Sequence, residues 1–221
     1  MNSMKDIKNF IAKNVASLFK DGDVVNLGVG IPTLAVGHLP EGVNVIIHAE
    51  NGAIGCGPVA AKEVATMDLV DAANVPITLI PQGSCTDSAT SFGIVRGGHV
   101  DYTVLGALQV DQEGNLASWI IPGKAVNGMG GAMDLVAGAK KVIIAMLHNS
   151  KDGKPKLLKK CIWPLTAVNA VTHIITDLAM IEIIDKKFVV KAMADGITKE
   201  ELQSKTEAEL IFPSNIKVML D

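Results

Sequence analysis

Glu50 is the side chain whose neighbours best suit it to chemistry. A β-prone run, Val43-Asn44-Val45-Ile46-Ile47-His48, leads directly into Ala49-Glu50-Asn51-Gly52-Ala53-Ile54-Gly55-Cys56-Gly57-Pro58. A carboxylate at the end of a buried strand, on a glycine-rich turn, is held in place and open to close approach. A glutamate that merely faced solvent would need no such permissive backbone. Asn127-Gly128-Met129-Gly130-Gly131-Ala132-Met133-Asp134 supplies the complement. Its three glycines in four positions precede a helix start, so unblocked N–H donors, those of Gly131 and Ala132 among them, gather where a developing oxyanion can be stabilised. Together the two stretches describe a held nucleophile and a place for the charge its attack creates.

Other patterns carry less. Gly28-Val29-Gly30 resembles the start of a dinucleotide fingerprint, but Thr33 stands at the third glycine and Pro32 interrupts. No nucleotide cofactor is expected there, although the turn can still offer N–H groups to a ligand anion, and Gly28 and Gly30 are expected to line the cleft. His38, His48, His99, His148 and His173 do not pair at ligand spacing, so each reads as structural and no metal site is expected. Ser84, Ser88 and Ser91 surround Asp87 without a nucleophile elbow or a histidine placed to serve them. Cys56 has no basic neighbour and reads as a small buried thiol. Asn51 and Gln109 are candidate amides lining the site.

The elements that must position these groups read as α/β. Residues 4–20 place Ile7, Phe10, Ile11, Val15, Leu18 and Phe19 on one helical face, with Ser3 and Asp6 set for a capping box and Gly22 as a stop. Val24–Leu27 is a short strand, a helix runs to about Leu39, and residues 43–48 form the strand that delivers Glu50. Ile77–Ile80, Tyr102–Leu108 and Lys141–Met146 are continuous apolar strands of the kind buried on both faces. Helices are expected at 88–96, 132–139 and 166–176, and a hairpin over Ile181–Ile184 and Phe188–Met193. Thr198 to Glu201 caps a last helix, and residues 148–160, with Lys156, Lys159 and Lys160, read as a solvated loop. Alternating strand and helix predicts a mostly parallel sheet flanked by helices, in one domain over residues 1–221.

Composition narrows the class. The chain has 221 residues and a net charge of −3, with no basic run, so nucleic acid or an anionic membrane is not an expected partner. Three widely spaced cysteines argue against a disulfide framework and for the cytoplasm. No apolar run is long enough to span a membrane.

Several segments, taken in order, resemble one family. They are Asn26-Leu27-Gly28-Val29-Gly30-Ile31-Pro32-Thr33, Glu50-Asn51-Gly52, Ser91-Phe92 with Arg96-Gly97-Gly98-His99-Val100-Asp101, Val104-Leu105-Gly106-Ala107-Leu108-Gln109-Val110, Pro122-Gly123-Lys124, and Gly128-Met129-Gly130-Gly131-Ala132-Met133-Asp134-Leu135-Val136. They resemble the β subunit of class I 3-oxoacid CoA-transferases over nearly the whole chain. The resemblance implies a ribose-phosphate-isomerase-like fold, Glu50 as nucleophile, and backbone contacts from Gly131 and Ala132. It also implies coenzyme A as substrate with no permanently bound cofactor, and acetoacetate, acetate, butyrate or succinate as acids. A separate α subunit in an (αβ)2 heterotetramer follows as well, since the family's Gly-Gly-Phe motif is absent here. Ala49 stands where that family usually has Ser, Ala53 where a larger aliphatic is usual, and Asp71-Ala72-Ala73-Asn74 replaces Asn-Ala-Gly-Gly; these departures bear on pocket shape. Two other classes fit parts of the pattern. A non-catalytic metabolite-binding module would form no covalent adduct. A sugar-phosphate isomerase would need basic residues for phosphate, for which only Arg96 and Lys124 are candidates.

Overall fold

A computed structural model describes residues 3–126 and 128–221; Asn127, which opens the glycine run, lies outside the described residues. Helix α1, Met4–Ala16, begins at Ser3, whose hydroxyl accepts from the Asp6 N–H. The helix stops earlier than its hydrophobic pattern suggests. Phe19, past its end, is still buried and packs obliquely on Tyr102 at 5.3 Å between ring centres. The expected helix before Leu39 is a 3-10 helix, Pro32–His38.

The strands of the first half are β1 Val24–Leu27, β2 Ile46–His48, β3 Ala53–Val59, β4 Ile77–Cys85, β5 Tyr102–Leu105, β6 Gln109–Asp111, β7 Leu116–Ala117, β8 Ile120–Ile121 and β9 Ala125–Val126. Those of the second are β10 Lys141–Ala145, β11 Leu157–Leu158, β12 His173–Ile175, β13 Ala179–Ile184, β14 Lys187–Met193, β15 Leu210–Ile211 and β16 Lys217–Val218. The remaining helices are α2 Ser88–Arg96, α3 Ala132–Gly138 and α4 Lys199–Ser204. One sheet runs β15-β14-β13-β12-β10-β5-β1-β2-β3-β4, with β16 also on β14. Its centre, β12-β10-β5-β1-β2, is parallel, and β3, β4, β13 and β14 extend it antiparallel on both sides.

Strand alternation divides the core in two. Val104, Ile143 and Ile175 face α1 with Val25 and Tyr102. Leu105, Ile144 and Ile174 face the other way, onto Val95 of α2, Leu135 and Val136 of α3, and Leu202 of α4. Helices therefore cover both faces, as the continuous apolar strands require.

The strands expected at 43–48 and Tyr102–Leu108 are shorter, Ile46–His48 and Tyr102–Leu105, and the larger departures lie at 166–176 and after Glu50. The segment 166–176 is not a helix; its end is the strand β12, parallel to β10. Ile174 is 0% and Ile175 1% exposed, on opposite faces of the sheet. Burying both side chains stabilises by about 3–6 kcal/mol, more than the few tenths per residue that separate helix propensities. The glycine-rich stretch after Glu50 is not only a turn but also β3, paired antiparallel with β4, which reaches Cys85 rather than ending at Ile80. Register shifts on either side of Cys56 interrupt that pair. Gly55, at φ +74°, lies where a Cβ would come within 3.0 Å of Gly83 Cα, so the glycines allow two backbones to touch at the irregularity.

Candidate active site

Glu50 sits where β2 reverses into β3. The Ala49 N–H donates to the Ala53 carbonyl at 2.8 Å, and the Gly52 N–H to the Ala49 carbonyl at 2.9 Å, leaving Glu50 and Asn51 as the central turn residues. Gly52 has φ +129°, and a Cβ there would stand 2.1 Å from the Thr86 carbonyl oxygen. The glycine is a steric requirement, because Thr86 in turn donates its N–H to the Gly52 carbonyl at 2.9 Å.

The second motif meets the first. The Gly131 N–H donates to Glu50 Oε1 at 3.3 Å. A Cβ at 131 would lie 2.9 Å from Glu50 Oε2 and 2.7 Å from Phe92 Cζ, so the approach exists only for glycine. The Ala132 N–H is engaged differently, donating to the Met129 carbonyl at 3.0 Å. Helix α2 braces the glycine loop: its Phe92 packs on Gly131 and its Arg96 pairs with Asp134 of α3 at 2.5 Å. Gly138 makes this packing possible, since a Cβ there would be 2.3 Å from the Val95 carbonyl oxygen.

Glu50, Gly28, Gly131 and Ala132 share the wall of one cavity of about 860 Å³ at the carboxyl ends of β1, β2 and β5. Most of the rest of that wall is apolar, from Leu27, Val29, Val36, Ile47, Ile77 and Ile80 among others. Open parallel sheets hold ligands at this edge. Cys56 lines it too; burial, with Asp71 nearby, pushes its thiol up to about 11, so it stays protonated at neutral pH.

Asn51, Gly30 and Gln109 stand apart from Glu50's cavity. The Asn51 amide donates outward to the Val70 carbonyl at 2.9 Å. The Gln109 side chain is buried, and its Oε1 accepts from the Ile162 and Trp163 N–H groups at 3.1 and 3.3 Å, which fixes that loop. Gly30 and Gln109 line a second cavity, of about 1060 Å³, which meets the first at Val29. Lys156 also lines it, half-buried rather than on a solvated loop, and burial pushes its amine down to about 8 against an opposing effect from Asp177.

One feature escaped sequence reasoning. Thr103, Asn26 and His48 lie side by side across β5, β1 and β2, in register and buried. The Thr103 hydroxyl donates to Asn26 Oδ1 at 3.4 Å, Asn26 Nδ2 faces His48 Nδ1 at 3.3 Å, and His48 Nε2 reaches Ser91 Oγ of α2 at 2.9 Å. Burial holds His48 below the usual imidazole range, with Ser91 opposing. Each strand carries a single polar residue within an apolar run, and that is the sequence signal of a shared polar row. Among the described residues no group of three metal-ligating side chains comes together, and no helix is long and apolar enough to cross a membrane.

The mostly parallel sheet, the carboxylate turn and the glycine loop facing it define the class of this protein. Residues 8–205 match the Coenzyme A transferase family, and the chain belongs to that family as a subunit of the β type. It is 50% identical over 203 residues to the beta subunit of the acetate CoA-transferase of Escherichia coli (strain K12), covering 92% of this chain and 93% of that one. It is 42% identical over 213 residues to the corresponding subunit of the probable succinyl-CoA:3-ketoacid coenzyme A transferase of Bacillus subtilis (strain 168), covering 96% and 99%. The fold is that of the acyl-CoA transferase YdiF from E. coli O157:H7, with a TM-score of 0.77 at 20% identity over all of this chain; this chain spans 44% of that one.

Proposed function

We propose that this chain is the nucleophile-bearing half of an enzyme that moves coenzyme A from a short-chain acyl-CoA to a second carboxylic acid. The observation that carries the reading is the Glu50 carboxylate, fixed on a turn at the mouth of an apolar cavity and met by the Gly131 N–H. Acetate, acetoacetate, butyrate and succinate are the acids of this reading, in keeping with the acetate and 3-ketoacid names of the relatives.

The exchange of one thioester for another is nearly balanced in energy, so the enzyme needs a carrier and not an energy source. A Glu50 oxygen attacks the acyl-CoA carbonyl carbon; the C–S bond breaks and CoA leaves as thiolate, giving a mixed anhydride. The thiolate attacks the glutamyl carbonyl carbon; the bond from that carbon to the bridging anhydride oxygen breaks, and the first acid leaves with that oxygen as its carboxylate. Glu50 now carries CoA as a thioester, and a second carboxylate runs both steps in reverse, which is ping-pong covalent catalysis. Each tetrahedral stage gathers charge on oxygen, where a fixed N–H donor is worth about 3 kcal/mol. Gly131 is the donor best placed for it. Ala132 would have to release the Met129 carbonyl to contribute. The apolar wall serves the same chemistry by excluding water from two hydrolysable intermediates.

A separate α subunit, in an (αβ)2 assembly, completes the enzyme. Both relatives are named as one subunit of their enzyme, which supports this. So do Val29 and Val59 at the cavity, 71% and 68% exposed on this chain. No permanently bound cofactor is part of the reading, and the three free cysteines accord with the cytoplasm. The test is to incubate the assembled complex with acyl-CoA and then borohydride or hydroxylamine, and to map the product. Modification of Glu50, absent from Glu50→Ala, supports the proposal. Full transfer by the Glu50→Ala complex overturns it.

A further inference from the structure

We propose that His48 and Ser91 are positioning residues for Glu50, acting through a one-way hydrogen-bond chain that ends on the carbonyl preceding it. The inference rests on the proposed role of Glu50 and adds to it how the carboxylate is aimed.

The geometry gives the chain its direction. Asn26 Nδ2 has two hydrogens, and two acceptors lie before it: the His48 carbonyl at 3.1 Å and His48 Nδ1 at 3.3 Å. The opposite amide orientation would set Oδ1 against that carbonyl, acceptor facing acceptor; in the orientation that avoids this, the Thr103 hydroxyl donates to Oδ1 at 3.4 Å. With Nδ1 thus an acceptor, the ring hydrogen belongs on Nε2, which donates to Ser91 Oγ at 2.9 Å. The Ser91 hydroxyl keeps its own hydrogen, and the Ala49 carbonyl lies 3.4 Å away. That carbonyl already closes the turn by accepting from the Gly52 N–H. All four side chains of the chain are at most 3% exposed, so water does not substitute for a missing member.

The consequence falls on Glu50 because Ala49 C=O belongs to the peptide unit that enters it. Tilting that peptide turns Glu50 away from Gly131, where the N–H contact is already 3.3 Å long. Displacement of a reacting group by about 1 Å can lower a rate by about 100-fold. Fixing one carbonyl through a serine on a neighbouring helix is an economical way to prevent such a shift.

The test uses the assembled complex with Ser91→Ala, His48→Leu and His48→Gln. Ser91→Ala is expected to lower kcat for transfer by about tenfold while leaving KM for acyl-CoA within about twofold, because Ser91 is not part of the cavity wall; His48→Leu, at a residue that does line it, is expected to lower kcat by a similar factor. His48→Gln, which restores an amide donor and acceptor, is expected to recover most of that loss. The role is overturned if Ser91→Ala turns over at the wild-type kcat, or if His48→Gln is as slow as His48→Leu. Should His48→Leu fail to assemble, Ser91→Ala and His48→Gln decide the matter. A complex active without Glu50 removes the underlying reading instead, which is a distinct result.

Discussion

The Gly131 N–H donates to Glu50 Oε1 at 3.3 Å, while the position of a Cβ on the same residue would stand 2.9 Å from Oε2. Donor and steric limit coincide in one residue. Gly131→Ala is therefore expected to lower kcat of the complex by about 100-fold, the scale of losing one oxyanion donor. The fold should lose only about 1–3 kcal/mol from overpacking against Phe92. Steady-state kinetics beside urea unfolding separates the two. An alanine variant with wild-type turnover would show that the loop has room the geometry denies it.

Gly52→Ala should act earlier, on the turn itself. A side chain there collides with the Thr86 carbonyl and occupies an unfavourable φ. Destabilisation of at least about 2 kcal/mol is expected, with loss of the soluble complex or a lowered urea midpoint. Unchanged stability would mean that the turn has a second arrangement.

His148 predicts a pH dependence of stability. It is fully buried between the Thr176 and Thr206 hydroxyls, at 3.0 and 2.8 Å, and burial pushes it down to about 4 from 6.5. Above pH 6.5 both folded and unfolded forms are neutral here and stability is complete. As pH falls from 6.5 towards 4, only the unfolded chain takes up the proton, so stability declines, by about 3 kcal/mol in all. His48 and His173 are lowered in the same direction and add to the slope. Urea titrations at pH 7 and 4.5 should show a smaller decline for His148→Gln than for wild type. Equal declines would remove His148 as a source.

The isolated chain should show no transfer, since its cavity is open beside Val29 and Val59, and the intermediates need a dry wall. Adding the α subunit is expected to restore turnover with a saturable dependence on its concentration. Full activity of the purified chain at nanomolar dilution, with size measured by light scattering, would contradict the two-subunit reading.

Glu50 and Gly131 were legible because each sits among glycines that a close approach or a left-handed φ requires. Their chemistry is complementary and suggested one site, and the family resemblance pointed the same way, but the contact itself, across 81 residues, was not readable from local pattern. The Thr103-Asn26-His48 row was hidden for a different reason. Three polar residues acquire a common meaning only through the register of β5, β1 and β2. At 166–176 the apolar spacing suited a helix, but the sheet needed a strand buried on both faces, and tertiary burial prevailed. Gln109 was a candidate amide for lining the site. Its carbonyl is instead spent on the 162–163 backbone.

Ser91 and Phe92 are neighbours on α2, one bonded toward the Glu50 turn and the other pressed on Gly131. The spacing between Glu50 and Gly131 is thus gauged by adjacent residues on one helix, rather than by two independent loops. Ala72 and Ala73, in the segment between β3 and β4, also line the cavity and lie outside the cluster in which Cys56 and Ile77 pack on Ala49 and Ala53 of the Glu50 turn. Under the proposed reaction, substitutions at Ala72 and Ala73 can reshape the acid's berth while α2 still sets the Glu50–Gly131 distance, which leaves preference among acids and chemical competence on separate parts of the chain.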